Sequence, residues 1–158
     1  MATNHAATDK DAETVAVDAA AEALLSVWDA ARESASNRVS GSQLRALLVV
    51  ETYDGINLRG LAAQLGVILS SASRLCDRLV AAGVLERVPG RTDRREIALH
   101  LTPAGHKLLS ELRDDRRRRL AVVLERMSPA GRQALLRGLA EFDAIVNEAE
   151  TAPEVASA

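Results

Sequence analysis

A period-two run inside an otherwise helical chain is the feature that most constrains this sequence. In residues 96–101 the apolar side chains Ile97, Leu99 and Leu101 fall at every second position, the spacing of a strand with one covered face. Upstream, Val84-Leu85-Glu86-Arg87-Val88 reads as a second strand, and Pro89-Gly90-Arg91-Thr92-Asp93 between them is rich in turn formers. The two make a hairpin. A lone hairpin is marginal in water, so Ile97, Leu99 and Leu101 must lie against helices. The fold has to surround one small hairpin with helices and leave Asp93-Arg94-Arg95-Glu96 at its tip.

The helix punctuation around it is legible. Residues 1–12 are polar and Ala-rich without periodicity, as are 151–158, and both ends are expected to be frayed tails. A first helix is expected over 13–34, with Leu24, Leu25 and Trp28 on one face. Ser40-Gly41-Ser42-Gln43 is a capping-box pattern opening a helix through Leu44, Leu47, Leu48 and Glu51 that stops at Asp54-Gly55. Asn57 suits the N-cap of a helix over 58–65 closed by Gly66, and a helix over 70–82 ends at Gly83. After the hairpin, Thr102-Pro103 supplies an N-cap and a first-turn proline for a helix to about residue 126, and Ser128-Pro129 repeats that start for a last helix. Three helices followed by a hairpin is the winged helix-turn-helix arrangement, so the chain is expected to be mainly α with a small β-hairpin.

Charge sharpens the functional reading. The net charge is −2, but residues 59–107 hold eight basic and four acidic side chains, a local +4. Residues 1–58 carry −5 and residues 108–158 carry −1. Distant acidic regions are screened over a Debye length of ~8 Å, so a local basic island can still dock on phosphates. Aromatics are 2% of the chain, too few for a platform that stacks single-stranded bases. No apolar run approaches the ~20 residues of a membrane span and no signal peptide opens the chain, so a cytoplasmic protein is expected.

Within the expected helix over 70–82, Ala72, Leu75, Cys76 and Leu79 form one apolar face for the core. The opposite side carries Ser70, Ser71, Ser73, Arg74, Asp77, Arg78 and Ala81. Small hydroxyls followed by arginines four residues apart suit insertion in a DNA major groove. The serines permit close approach, and an arginine can take guanine O6 and N7 together. At the hairpin tip Arg91, Arg94 and Arg95 are crowded unless an anion is near. One of them is expected to hold the wing by pairing inwards with Asp77 or Asp93, and another to reach the minor groove or a phosphate.

These residues resemble a known family. Asp93-Arg94-Arg95, five residues, then Leu101-Thr102-Pro103-Ala104-Gly105 is similar to the wing pattern of the MarR family of bacterial transcriptional regulators. Leu61-Ala62, Leu65-Gly66-Val67, Arg74-Leu75 and Asp77-Arg78-Leu79 resemble its helix-turn-helix, and Gly83 with Leu85-Glu86-Arg87 resembles its approach to the wing. The resemblance spans about residues 39–112. It implies a homodimer that binds a palindromic operator in double-stranded DNA, as a repressor released by a small-molecule effector. It also implies that N- and C-terminal helices, 13–38 and 103–150, form the dimer interface around a DNA-binding lobe over 39–102. Such a regulator would be nucleoid-associated when bound to DNA. Ile68-Leu69 departs from the family, which places polar residues there, and leaves Ser70 to cap the helix. Gly60 departs as well, where glutamate is usual, and costs about 1 kcal/mol of helix propensity relative to alanine.

Other constellations are weaker. His5, His100 and His106 lack the i, i+4 spacing or a cysteine pair that would hold a metal, so no metal or cofactor is expected. His100 is expected on the outer face of the wing strand and His106 in the first turn of the following helix. Cys76 reads as a small core residue. Arg116 to Arg119 point around a whole helix circumference and cannot form one patch, though their stems can cover apolar surface. No catalytic grouping is present, so an enzyme is not expected. A ligand pocket between the dimer helices and the lobe would be lined by Trp28, Arg32, Leu48, Thr52 and Tyr53. The competing reading is a winged-helix protein-interaction module whose basic wing meets an acidic partner.

Overall fold

The structure, a computed structural model, describes residues 3–36, 39–89 and 97–151, with side chains over 10–33, 39–89 and 97–148. The elements in order are α1 (Thr3–Ser36), α2 (Gly41–Thr52), α3 (Leu58–Leu65), α4 (Leu69–Ala81), β1 (Leu85–Pro89), β2 (Ile97–Leu101), α5 (Pro103–Arg126) and α6 (Pro129–Thr151). Arg91, Asp93, Arg94 and Arg95 lie outside the described residues, so the expected wing tip receives no structural account.

Local chemistry sets most of these boundaries. Ser40 Oγ accepts from the Gln43 amide at 3.4 Å while Gln43 Oε1 accepts from the Ser40 amide at 2.7 Å, a complete capping box. Asn57 Oδ1 accepts from the Gly60 amide at 2.8 Å, and α3 closes on Gly66 with φ +66. A left-handed residue of this kind is cheap only for glycine. Ser128 Oγ caps α6 through the Gly131 amide at 3.0 Å.

Two boundaries differ from expectation. Helix α1 begins at Thr3 and runs through much of the stretch expected to be a frayed tail. Its alanines have the highest helix propensity of any residue, which composition without periodicity concealed. Helix α4 begins at Leu69 with Ile68 at the cap position and no side-chain cap. The expected capping role of Ser70 is therefore not taken up, because Ser70 is already inside the first turn.

The strands pair antiparallel, Leu85 opposite Leu101, Arg87 opposite Leu99 and Pro89 opposite Ile97. The ladder is wider than a hairpin. The Gly55 amide donates to Leu99 O at 3.1 Å, the Leu99 amide donates to Ile56 O at 2.9 Å, and Asn57 bridges Ala98. The connection between α2 and α3 thus covers the second edge of β2, removing unpaired backbone groups there. Of the three expected anchors, Leu99 (1% exposed) and Leu101 (6%) are buried, whereas Ile97 is 52% exposed. Ile97 faces Pro89 at the far end of the ladder, beyond the end fastened beneath the helices.

Two compact units divide within α5, between Arg117 and Arg118. The first holds the core: Leu44, Leu47 and Val50 of α2, Leu61 and Leu65 of α3, Leu75, Cys76 and Leu79 of α4, Leu85, Leu99 and Leu101 of the strands, and Leu108 and Leu109 of α5. Each fully buried leucine contributes about 1.5–3 kcal/mol. Gly105 lets α5 cross the β1 approach, since a Cβ there would fall 2.2 Å from Val84 O. Thr102 ties the same junction, donating to Gly83 O at 2.6 Å and accepting from the Gly105 amide at 3.1 Å. In the second unit no described side chain is buried. Its helix junction is held by Arg132, whose Nη1 donates to Leu124 O and Met127 O at 3.0 and 3.1 Å. Among the described residues no helix is long and apolar enough to cross a membrane.

Candidate nucleic-acid interface

Helix α4 separates its chemistry by face. Ala72, Leu75, Cys76 and Leu79 are all 6% exposed or less. Ser70, Ser71, Arg74, Asp77, Arg78 and Ala81 are exposed, and Ser73 is half-buried at the boundary between the faces. Ser70, Arg74, Asp77, Arg78 and Ala81 fall on one outward stripe of a helix with 3.6 residues per turn. Arg74 and Arg78 sit one turn apart, and among the described residues neither has an ion-pair partner. Two guanidiniums held this close without a carboxylate are ready to meet an anion.

Asp77, on the same stripe, pairs with Arg87 Nη1 of β1 at 2.8 Å. Both side chains are partly exposed, so the pair stabilises by no more than about 1 kcal/mol. Its value is positional, because it fixes the first wing strand against α4. Arg87 shares a strand face with the buried Leu85. That was the available signal: strand alternation turns Arg87 to the side of Leu85, where Asp77 of α4 is within reach, although Arg87 itself stays exposed. The sequence reading sought this partner among the tip arginines instead.

Cys76 is 0% exposed, and burial pushes its thiol up from the ordinary value against the opposing pull of the Arg87 guanidinium. A thiol in that state is a weak nucleophile. His100, on the strand face opposite Leu99 and Leu101, meets Asp54 through Nδ1 at 2.7 Å, and His106 is exposed in the first turns of α5.

A second ion pair, not anticipated, lies behind the interface. Arg113 of α5 donates to both carboxylate oxygens of Glu51 on α2, through Nη1 to Oε1 at 2.9 Å and through Nη2 to Oε2. This bidentate bond holds the Glu51 carboxyl below its ordinary 4.5, against a smaller upward push from burial, and raises Arg113. It couples α2, which packs against α3 and α4, to the long helix that leaves the lobe.

The five residues expected to line a pocket fall in two groups. Trp28 and Arg32 are one turn apart on α1, and Leu48, Thr52 and Tyr53 end α2. The Arg116 guanidinium lies 5.2 Å over the Trp28 ring, a cation–π contact, and Arg32 reaches Asp29 at 3.5 Å. Leu48 and Tyr53 are 39% and 48% exposed. Arg117 meets Asp114 at 3.3 Å. The arginine run thus divides among partners around the helix.

Residues 39–96 match the model of the MarR family. Over 91% of its length the chain is similar to 94% of RV1404 from Mycobacterium tuberculosis, at 32% identity and a TM-score of 0.75. It is 29% identical over 101 residues to the uncharacterized HTH-type transcriptional regulator YfiV of Bacillus subtilis, covering 64% of this chain and 63% of that one. It is 33% identical over 85 residues to the HTH-type transcriptional regulator PetP of Rhodobacter capsulatus, covering 54% and 51%. The matches thus span between about half and two-thirds of those two curated relatives' lengths.

Proposed function

The chain belongs to the MarR family of transcriptional regulators, and we propose that it is a homodimeric, sequence-specific binder of double-stranded DNA acting as a repressor. The observation that carries this reading is the outward stripe of α4, with Arg74 and Arg78 free of carboxylates among the described residues and the wing strand pinned beside it by Asp77–Arg87. Ser70, Ser71 and Ser73 lie closest to the bases or phosphates at the start of the helix, and the arginines read base edges in the major groove. Arg91, Arg94 and Arg95 carry the wing onto phosphate or into the minor groove, with Asp93 helping to position them.

The terminal helices form the dimer. Support comes from their uncovered apolar side chains, among them Val15 and Leu25 on α1 and Leu136, Phe142 and Ile145 on α6, each 58% exposed or more. Large apolar side chains left uncovered on both helices favour protein contact. Two lobes related by a dyad address two halves of a palindromic operator and double the local +4 charge. A small-molecule effector, taken up near Trp28, Arg32, Leu48, Thr52 and Tyr53, releases the operator by changing the separation of the lobes. The protein works in the cytoplasm.

The test is a titration of the duplex upstream of the protein's own coding region against random duplex at ~0.15 M salt, a strength that suppresses non-specific binding. The proposal expects at least a hundredfold preference and a complex containing two chains. Equal affinity for both duplexes removes sequence-specific regulation and favours the protein-interaction module.

A further inference from the structure

The turn that leads into α4 carries an apolar patch that the core does not use. Val67, Ile68 and Leu69 are 41%, 71% and 46% exposed. They are consecutive, and they lie next to Ser70, Ser71 and Arg74 on the cationic, hydroxyl-bearing face. Ile68 occupies the N-cap position in extended conformation, φ −70 and ψ 152; its carbonyl accepts from the Ser71 and Ala72 amides, but its side chain supplies no cap hydrogen bond. At that position serine, threonine, asparagine or aspartate would stabilise the helix by about 1 kcal/mol. The chain forgoes that stabilisation and also leaves a large branched side chain in water. Both costs fall on one residue, at one end of one helix.

The neighbours identify what would cover this patch. A protein partner recognised through apolar contact would need a broader uncharged surface, whereas the patch is bordered by small hydroxyls and by arginines that have no carboxylate partner among the described residues. That border fits a polyanion carrying isolated apolar groups at its readable edge. In a DNA major groove the one apolar group on a base edge is the thymine C5-methyl. A recognition helix presents its N-terminal residues to base edges, which is where Ile68 and Leu69 stand.

We propose that Ile68, with Leu69 beside it, determines specificity by packing on thymine C5-methyl groups, so that the protein selects A·T pairs under the start of α4. The proposal rests on the reading of α4 as a recognition helix. It assigns different tasks along that helix: methyl readout at the entry, guanine or phosphate readout by Arg74 and Arg78 further on. Methyl contact is worth little per group, about fourfold in affinity for each methyl taken out of water, and the two lobes of a dimer would multiply it.

Uracil provides the test, since it keeps every hydrogen-bonding group of thymine and lacks only the methyl. A duplex enriched by the wild-type chain from a random pool is resynthesised with deoxyuridine at the thymines of each half-site and titrated with wild type and with Ile68→Ala. Because Ile68 is exposed, the variant folds, as a matching circular dichroism melt will verify. The wild type is expected to lose about 4- to 15-fold on the uracil duplex, and Ile68→Ala less than twofold. Equal binding of thymine and uracil duplexes by the wild type overturns the inference while leaving sequence-specific regulation intact. So does a uracil penalty that survives in both Ile68→Ala and Leu69→Ala. If no duplex is enriched from the pool at all, the regulatory reading itself fails and the inference fails with it.

Discussion

Helices α4 and α6 are both amphipathic, yet they solve opposite problems. Helix α4 buries its apolar face under α2, α3 and the wing and turns outward Arg74 and Arg78, which have no ion-pair partner among the described residues. Helix α6 turns its apolar face outward: Leu135, Leu139, Phe142 and Val146, which share one side of the helix, are 37%, 42%, 62% and 40% exposed. The difference teaches what each helix lacks. A face of hydroxyls and guanidiniums lacks an anion, and a face of leucine, phenylalanine and valine lacks another apolar surface. The same chain therefore has two unfinished surfaces of different chemistry, which the proposed function assigns to DNA and to a second copy of the chain.

Substitutions can break this comparison on either side. The largest effect belongs to the finished face of α4, where Leu79→Ala should cost about 2–5 kcal/mol in urea unfolding, because the cavity lies in a closed core. On α6, Phe142→Ala should leave far-ultraviolet circular dichroism unchanged and weaken self-association by about 2 kcal/mol in sedimentation equilibrium, the scale of an aromatic hot spot. Should Phe142→Ala instead unfold the chain at concentrations where the dimer persists, the exposed face of α6 would be a core face. Arg74→Ala should lose ~1–3 kcal/mol at the selected duplex and less on random DNA. A loss that is the same on all sequences would leave Arg74 as a phosphate contact.

Smaller effects sharpen the account within the lobe. Ile68→Ser should raise stability by about 1 kcal/mol by supplying the missing cap while weakening selective binding, so stability and affinity move in opposite directions. The Glu51–Arg113 pair should contribute about 1 kcal/mol. Glu51 has its folded-state value depressed below 4.5, so its contribution is present above that value and is lost as pH falls through the folded value. Glu51→Gln should accordingly flatten the acid limb of the stability curve below pH 4.5 and change little near neutrality beyond the lost ion pair.

What could be read from the sequence follows the range of the interactions involved. The capping box at Ser40, the Asn57 cap, the Gly66 closure and the Thr102-Pro103 start are set within three or four residues, and each is in place. The face assignments of α4 were also legible, since helical periodicity repeats over its whole length. Contacts between distant segments were not. Asp54 and His100 are 46 residues apart and Glu51 and Arg113 are 62 apart, and no local pattern links such pairs. The third segment beside β2 escaped notice for the same reason, because residues 55–57 have turn composition and gain strand pairing only from Ile56 and Leu99 meeting in space. Ile97 misled for a different reason. Alternation shows which residues share a face, but not how far along the strand the covering helices extend.

The most direct test of the two-surface account is photocrosslinking from two positions in otherwise wild-type protein mixed with the selected duplex. A benzophenone side chain replaces Ser70 on α4 in one sample and Phe142 on α6 in the other. The account predicts protein–DNA adducts from position 70 and chain–chain adducts from position 142. Chain–chain adducts from position 70, or DNA adducts from position 142, would contradict it.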